Sequence, residues 1–198
     1  MKIGVLALQG DFAEHQTTLQ QLGINSIQVR LPRDLDGLNG LIIPGGESTT
    51  IGKLAVAYGL MEPLREFAKN RAIWGTCAGA IFLSKDAQRN QPLLEVMDIT
   101  VERNAFGRQV DSFEIDIDIP ALETIEPDMK SYHAVFIRAP LIREVQPPAE
   151  VLSRLPENAV KGSGRIVAAR QGRLLATSFH PELTEDDRFH RYFVEMAK

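Results

Sequence analysis

The chain's one cysteine, Cys77, sits in Gly75-Thr76-Cys77-Ala78-Gly79, where the apolar run AIWGT (72–76) meets a second run, AGAIFLSK (78–85). Read as a strand turning into a helix, this places the thiol in a sharp bend. Small residues two positions before and after let such a bend close, as in the nucleophile elbow, met here as G-x-C-x-G. The start of the following helix stabilises a thiolate, and its free N–H groups can receive an oxyanion. Taken alone, the motif also fits a small buried hydrophobe in a strand-to-helix turn.

A nucleophile needs a base, and the chain offers four histidines. His15 and His190 lie within helical patterns, and His133 begins a strand. His180 follows the strand RLLATSF (173–179) and opens His180-Pro181-Glu182. In extended backbone, residues i and i+2 project to one side, so Glu182 can reach the imidazole. Pro181 stiffens that geometry. The implied triad is Cys77 as nucleophile, His180 as general base and acid, and Glu182 as orienting carboxylate. An isolated H-x-E is common by chance; elbow and triplet carry weight together.

Pro44-Gly45-Gly46-Glu47-Ser48-Thr49-Thr50 follows a strand, and its glycines allow amide N–H groups to face a ligand. A phosphate-binding loop is excluded, since five residues separate Gly46 from Gly52 and Leu54 follows Lys53. The better reading is an oxyanion loop beside Cys77.

These residues need a scaffold, and the first half supplies one. KIGVLAL (2–8), IQVRL (27–31), GLIIP (40–44) and AIWGT read as strands. Between them, 11–23 reads as a helix with Asp11 as N-cap and Gly23 as stop, and 49–70 as helical with breaks around Gly59 and Pro63. This alternation predicts an α/β fold: an open, mostly parallel sheet flanked by helices on both faces. The second half predicts antiparallel additions. QVDSFEIDIDIP (109–120) alternates, with Phe113, Ile115, Ile117 and Ile119 on one face and Glu114, Asp116 and Asp118 on the other. HAVFIRAP (133–140), EVLSRL (150–155), RIVAARQG (165–172) and RLLATSF follow as strands, with a hairpin at Gln171-Gly172 and a closing amphipathic helix.

A net charge of −4 argues against a chain that coats nucleic acid or an anionic membrane. One cysteine excludes an internal disulfide and a cysteine-rich zinc site. The start MKIGVLALQG is too quickly interrupted for a signal peptide, and no run of about 18 apolar residues occurs. The expectation is a soluble, cytoplasmic protein with a single domain over 1–198.

GTCAG, PGGESTT and the late HPE are shared features of the class I (triad) glutamine amidotransferases, which the chain therefore resembles. LALQGDFAEH, LIIPGGESTT, GTCAGA, VERNAFGRQVDSFE, VFIRAP and SFHPELTED further resemble the glutaminase subunits of pyridoxal 5′-phosphate synthases, from residue 3 to about 187. The stretches EPDMKSYH and RLPENAVKGSG depart from the pattern and look like loop-length variation. The resemblance implies a flavodoxin-like class I amidotransferase fold and hydrolysis of L-glutamine to glutamate and ammonia through a cysteine thioester. It implies that Gly46, Glu47 and Ser48 contact glutamine, with the Gly46 and Ala78 amides as oxyanion donors. Arg103 and the Ile137-Arg138 pair would hold the substrate's polar end. Which of Arg103, Arg108 and Arg138 takes the α-carboxylate stays open.

The implied partner is a separate synthase subunit, in a multi-subunit complex that makes pyridoxal 5′-phosphate (vitamin B6) from ribose 5-phosphate and glyceraldehyde 3-phosphate. No metal or prosthetic group is implied, and no nucleic acid or membrane. The resemblance also implies a glutaminase that its synthase switches on. Two rivals remain: a glutaminase serving another enzyme, such as imidazole glycerol phosphate synthase, and a non-hydrolytic redox or chaperone protein with the same elbow.

Overall fold

The computed structural model describes residues 1–103, 112–128, 131–157, 159 and 163–198. Its first half runs β1 (Lys2–Leu6), α1 (Phe12–Gln21), β2 (Asn25–Val29), β3 (Gly40–Ile43), α2 (Ser48–Ala57), α3 (Met61–Asn70), β4 (Ala72–Thr76) and α4 (Ala78–Leu83). The second half is strand-rich: β5 (Ser84–Asp86), β6 (Met97–Glu102), β7 (Ser112–Asp118), β8 (Ser131–Ile137), β9 (Leu141–Val145), β10 (Glu150–Arg154), β11 (Ile166–Gln171) and β12 (Leu174–Thr177). The helix α5 (Arg188–Met196) closes it.

The main sheet has the order β2-β1-β3-β4-β12-β11-β9-β6-β5, with β10 paired to β11. From β2 to β12 every neighbour is parallel. Beyond β12 the pairing turns antiparallel, through β11, β9 and β6, and only the short edge strand β5 runs parallel again. The expected mostly parallel sheet with antiparallel additions is thus the observed one.

Period-two alternation explains why the sheet is covered on both faces. Leu6, Leu41, Ile43, Ile73, Leu174 and Ala176 enter one apolar cluster, together with Ile51 and Ala55 of α2 and Leu64 of α3. Their chain neighbours Val5, Ile42, Ala72, Trp74 and Leu175 enter the opposite cluster, with Leu19 of α1 and Phe189 and Phe193 of α5. Trp74 stacks on Phe189 at 5.9 Å between ring centres. Fully burying one such phenylalanine contributes about 1.5–3 kcal/mol.

β7 and β8 form a separate antiparallel ribbon, with Phe113 opposite Phe136 and their rings stacked at 4.6 Å. Ile117 is buried, while Glu114, Asp116 and Asp118 are exposed, as the alternation predicts. Residues 109–111 of the expected strand lie outside the described residues.

Several local expectations need correction. Gly59 does separate two helices, at φ +67°, but Pro63 breaks nothing. It occupies the third position of α3, where a backbone N–H has no intrahelical partner to lose. α4 stops at Leu83, and Ser84 and Lys85 belong to β5. HAVFIRAP is not one strand: β8 ends at Ile137, Arg138 takes φ +43°, and β9 begins at Leu141. Strands β5, β6 and β9 are additions to the expected set. Among the described residues, no helix is long and apolar enough to cross a membrane.

Candidate active site

Four parallel neighbours, β1, β3, β4 and β12, end at the same edge of the sheet, and the segments following them build the site. In open α/β sheets this carboxyl edge is where ligands bind. The segment after β1 carries Gln9 and Asp11, that after β3 carries Gly45 to Ser48, that after β4 is Cys77, and that after β12 is His180.

The elbow geometry follows from its glycines. Cys77 has φ +48° and ψ −105°, a strained backbone for any residue with a side chain. A Cβ on Gly79 would lie 2.0 Å from the Ile43 carbonyl oxygen, and one on Gly75 2.5 Å from the Gly79 backbone. Only glycine at both places lets α4 sit directly against β3 and β4 and hold Cys77 in this conformation. The Cys77 N–H donates to the Thr177 carbonyl at 2.8 Å, tying the elbow to β12. The side chain is 7% exposed, open only on the cavity side.

His180 lines the same cavity as Cys77, and its Nδ1 lies 2.7 Å from Glu182 Oε1. The backbone that achieves this is not the extended one expected. Pro181–Leu183 is a single 3₁₀ turn, with His180 just before it at φ −107° and ψ 87°. Proline favours the first position of a helical turn, where its missing N–H costs nothing. The tight turn, rather than strand alternation, folds Glu182 back onto the imidazole. The His180 N–H also donates to the Val135 carbonyl at 2.9 Å, so the ribbon anchors the base.

Burial works against an imidazolium here, but the hydrogen bonds and charges of Cys77 and Glu182 outweigh it and raise His180 to about 10. At neutral pH the ring therefore carries its proton beside the sulfur. Asp11 Oδ2 stands 3.7 Å from the same Nδ1. Asp11 holds the N-cap position of α1, yet its carboxylate makes no cap hydrogen bond and faces His180 instead. Asp11, His180 and Glu182 bring three potential metal-ligand atoms within 4.8 Å. The Glu182 bond already occupies Nδ1, so the cluster is better read as counter-charge around an imidazolium.

The glycine loop is held by the segment after β1. Its Gly45 carbonyl accepts from Asp11 N–H at 3.1 Å, and Gln9 Oε1 accepts from Glu47 N–H at 2.7 Å. Gly46 has φ +147°, and a Cβ there would meet Gln9 Oε1 at 2.6 Å. Glu47 caps α2 by accepting from the Thr49 and Thr50 amides at 3.2 and 2.7 Å. Burial pushes its carboxyl up, yet the Thr50 hydroxyl, these amides and Arg103 bring it down to about 2. Arg103 donates to Glu47 at 2.8 Å and to Thr49 Oγ1 at 3.0 Å, so it stands on the first turn of α2.

A cavity of about 380 Å³ joins these parts. Cys77, Ala78, His180, Gly46, Glu47, Ser48, Arg103, Ile137 and Arg138 all line it, as do Gln9 and Asp11. Glu182 lies behind His180 and does not. The Ile137 carbonyl is 4.0 Å from Cys77 Sγ. Arg108 and residues 104–111 of the VERNAFGRQVDSFE block lie outside the described residues. A larger cleft of about 850 Å³ beside α5 contains none of this constellation.

The SNO glutamine amidotransferase family model matches residues 5–198. The chain belongs to this family of glutamine amidotransferases. Pyridoxal 5′-phosphate synthase subunit PdxT of Moorella thermoacetica is 52% identical, over 99% of each chain. That of Herpetosiphon aurantiacus is 55% identical, over 98% of this chain and 99% of its own. A solved glutamine amidotransferase with 51% identity superposes with a TM-score of 0.88, covering 98% of each chain. PurLQS from Thermotoga maritima, at 16% identity and a TM-score of 0.67, shares the fold, covering all of this chain and 98% of its own.

Sequence reasoning left out four groups at or beneath this candidate site: Gln9 and Asp11 on the cavity wall, and His15 and His190 behind it. His15 and His190 are fully buried. Desolvation holds His15 well below its ordinary range and brings His190 down to about 3. Protonation therefore favours the unfolded chain. The contribution is intact above the unfolded pKa of about 6.5 and is lost progressively as pH falls below it, for His190 down towards about 3. We expect the melting temperature to fall from pH 6.5 to pH 4, and His190→Leu to flatten that slope. An unchanged slope would assign the acid lability to other groups.

Proposed function

We propose that Cys77, His180 and Glu182 hydrolyse the side-chain amide of L-glutamine, and that the ammonia feeds a pyridoxal 5′-phosphate synthase. The observation that carries the reading is the Cys77–His180–Glu182 line at the ends of two adjacent parallel strands. The Cys77 thiolate attacks the amide carbon, and the oxygen becomes an oxyanion. The amides of Ala78, at the start of α4, and Gly46 are the assigned donors. His180 gives its proton to the departing nitrogen, the C–N bond breaks, ammonia leaves, and a γ-glutamyl thioester remains on Cys77. The neutral imidazole then takes a proton from water, whose oxygen attacks the thioester. Collapse releases glutamate and restores thiolate and imidazolium.

Gly46, Glu47 and Ser48 on one wall, with Arg103, Ile137 and Arg138 on the other, form the glutamine subsite in this reading. Arg103 is engaged by Glu47, and Arg138 lines the cavity next to Ile137, whose carbonyl lies 4.0 Å from the sulfur. This supports Arg138 and its neighbouring backbone as the holder of the substrate's polar end, with Arg103 fixing Glu47. The chain acts as one glutaminase domain and needs no metal or prosthetic group. A cytoplasmic location fits, since the thiolate requires a compartment that keeps thiols reduced.

The test is glutamate production by the purified chain, alone and titrated with the synthase partner. We expect little turnover alone and a rise of about a hundred- to a thousand-fold with the partner, the worth of one oxyanion donor. Full activity alone would remove the switching part of the proposal. No turnover in either condition would remove the glutaminase reading itself.

A further inference from the structure

Beneath the triad lies a second layer of polar groups that the chemistry above does not use. His15 of α1 and His190 of α5 meet there, with His15 Nδ1 3.0 Å from His190 Nε2. The other nitrogen of His15, Nε2, is 3.4 Å from Glu182 Oε2 and 3.3 Å from Thr76 Oγ1. Trp74 closes the layer, its ring centre 5.7 Å from that of His15 and 5.0 Å from that of His190. The side chains of His15 and Glu182 are both wholly inaccessible to solvent.

The proton positions follow from counting donors. Each buried neutral imidazole has one N–H. If His15 carried its proton on Nδ1, the bare Nε2 lone pair would face a carboxylate oxygen, and two lone pairs repel. His190 would then accept on Nε2 and carry its own proton on Nδ1, which has no hydrogen-bond partner. The other arrangement avoids both costs. His190 Nε2–H donates to His15 Nδ1, and His15 Nε2–H donates to Thr76 Oγ1, with Glu182 Oε2 beside it at 3.4 Å from the same nitrogen. His190 Nδ1 is left as an acceptor only, the less costly group to leave unpaired.

Glu182 Oε2 forms no hydrogen bond within ordinary limits in this ligand-free arrangement. Hydrogen bonds around a catalytic centre are often long without substrate and tighten when it binds. We propose that His15 is a positioning residue for glutamine hydrolysis: its Nε2–H secures Glu182 Oε2, so that Oε1 stays aimed at His180 Nδ1, and His190 fixes the tautomer. The inference rests on the triad reading given above. A buried carboxylate held by one oxygen alone can swing about that bond, and the imidazole swings with it. Desolvation raises the Glu182 carboxyl above its usual range, and a second donor opposes that protonation. The titratable groups around this carboxyl are His180, His15, Asp11 and Tyr132.

The experiment compares His15→Leu, His15→Gln and His15→Asn, each in complex with the synthase partner, by steady-state glutamine hydrolysis across pH. The glutamine amide nitrogen reaches the place of Nε2, whereas that of asparagine reaches only the place of Nδ1. We expect His15→Leu to lower kcat by about 10- to 100-fold, as a small misplacement of a reacting group does, with KM changed little. The acid limb of its kcat profile should move to higher pH, because an unsupported carboxylate takes a proton more readily. His15→Gln should restore most of kcat and the position of that limb; His15→Asn should restore neither. Equal losses in the Gln and Asn variants, or a change confined to KM, would overturn the proposal. So would a folded His15→Leu within about threefold of the parent, a threshold well inside the expected loss. If His15→Leu does not fold, the Gln and Asn pair decides. Turnover that survives Cys77→Ala would instead sink the underlying triad reading, so the two failures are separable.

Discussion

Cys77→Ala should abolish glutamine hydrolysis, with a loss of at least about 10⁴-fold, since removing a nucleophile ends covalent catalysis and leaves only binding and oxyanion stabilisation. The chain holds one cysteine, so no second thiol can substitute. The same complex should still make product when ammonium is supplied, because that route bypasses the thioester. A glutamine-mimicking diazo-ketone should add one equivalent to the parent chain, on the peptide containing Cys77, and none to the variant. Substantial glutamine turnover by the folded variant would sink the assignment. Alanine also relieves little of the elbow's strain, since φ +48° is as unfavourable for it as for cysteine. The readout therefore reports chemistry more than refolding.

His180→Asn and Glu182→Gln should differ in severity. In the proposed reaction His180 moves a proton in both halves, and positioned acid–base assistance is worth about 10²- to 10⁴-fold. Glu182 acts on His180 alone, through the 2.7 Å bond at Nδ1, so the histidine loss should be the larger. The glutamine variant keeps an oxygen that can accept from Nδ1–H but loses the charge that supports the imidazolium. Its deficit should therefore appear mainly in kcat. Near-normal rates in both variants, with folding verified by circular dichroism, would reduce His180-Pro181-Glu182 to a structural turn.

The parallel half of the fold was legible because β1, β3 and β4 are buried on both faces and read as apolar runs between turn residues. β6 was equally open to reading, since Met97, Ile99 and Val101 alternate with Asp98, Thr100 and Glu102. β9 was hidden by its place directly after Pro140, where the expected strand HAVFIRAP ended. β5 is three residues long and carries no periodicity at all.

The triad was legible for a related reason: its signals are local, two glycines around Cys77 and the short step from His180 to Glu182. Its supports are not local. His15 and His190 lie 175 positions apart and meet only because α1 and α5 cover the same face of the sheet. Asp11 and His15 stand four residues apart, one helical turn, which was the single hint that both look towards the same place. Asp11 had a competing use as a helix cap, and tertiary charge overrode it.

The position of β12 has a consequence for how this enzyme comes into being. Among the described residues, the strand that seats between β4 and β11 is the last in chain order, and the Trp74–Thr177 hydrogen bond beneath the site spans 103 residues. Until that strand inserts, the two halves of the sheet have no common seam, and the Cys77 amide lacks its Thr177 partner. A nascent or truncated chain thus carries a thiol with no imidazole to activate it and no strand to hold its strained turn. Closing so long a loop is slow compared with forming local helices. The triad therefore cannot assemble until the segment from β12 to Glu182 has been made.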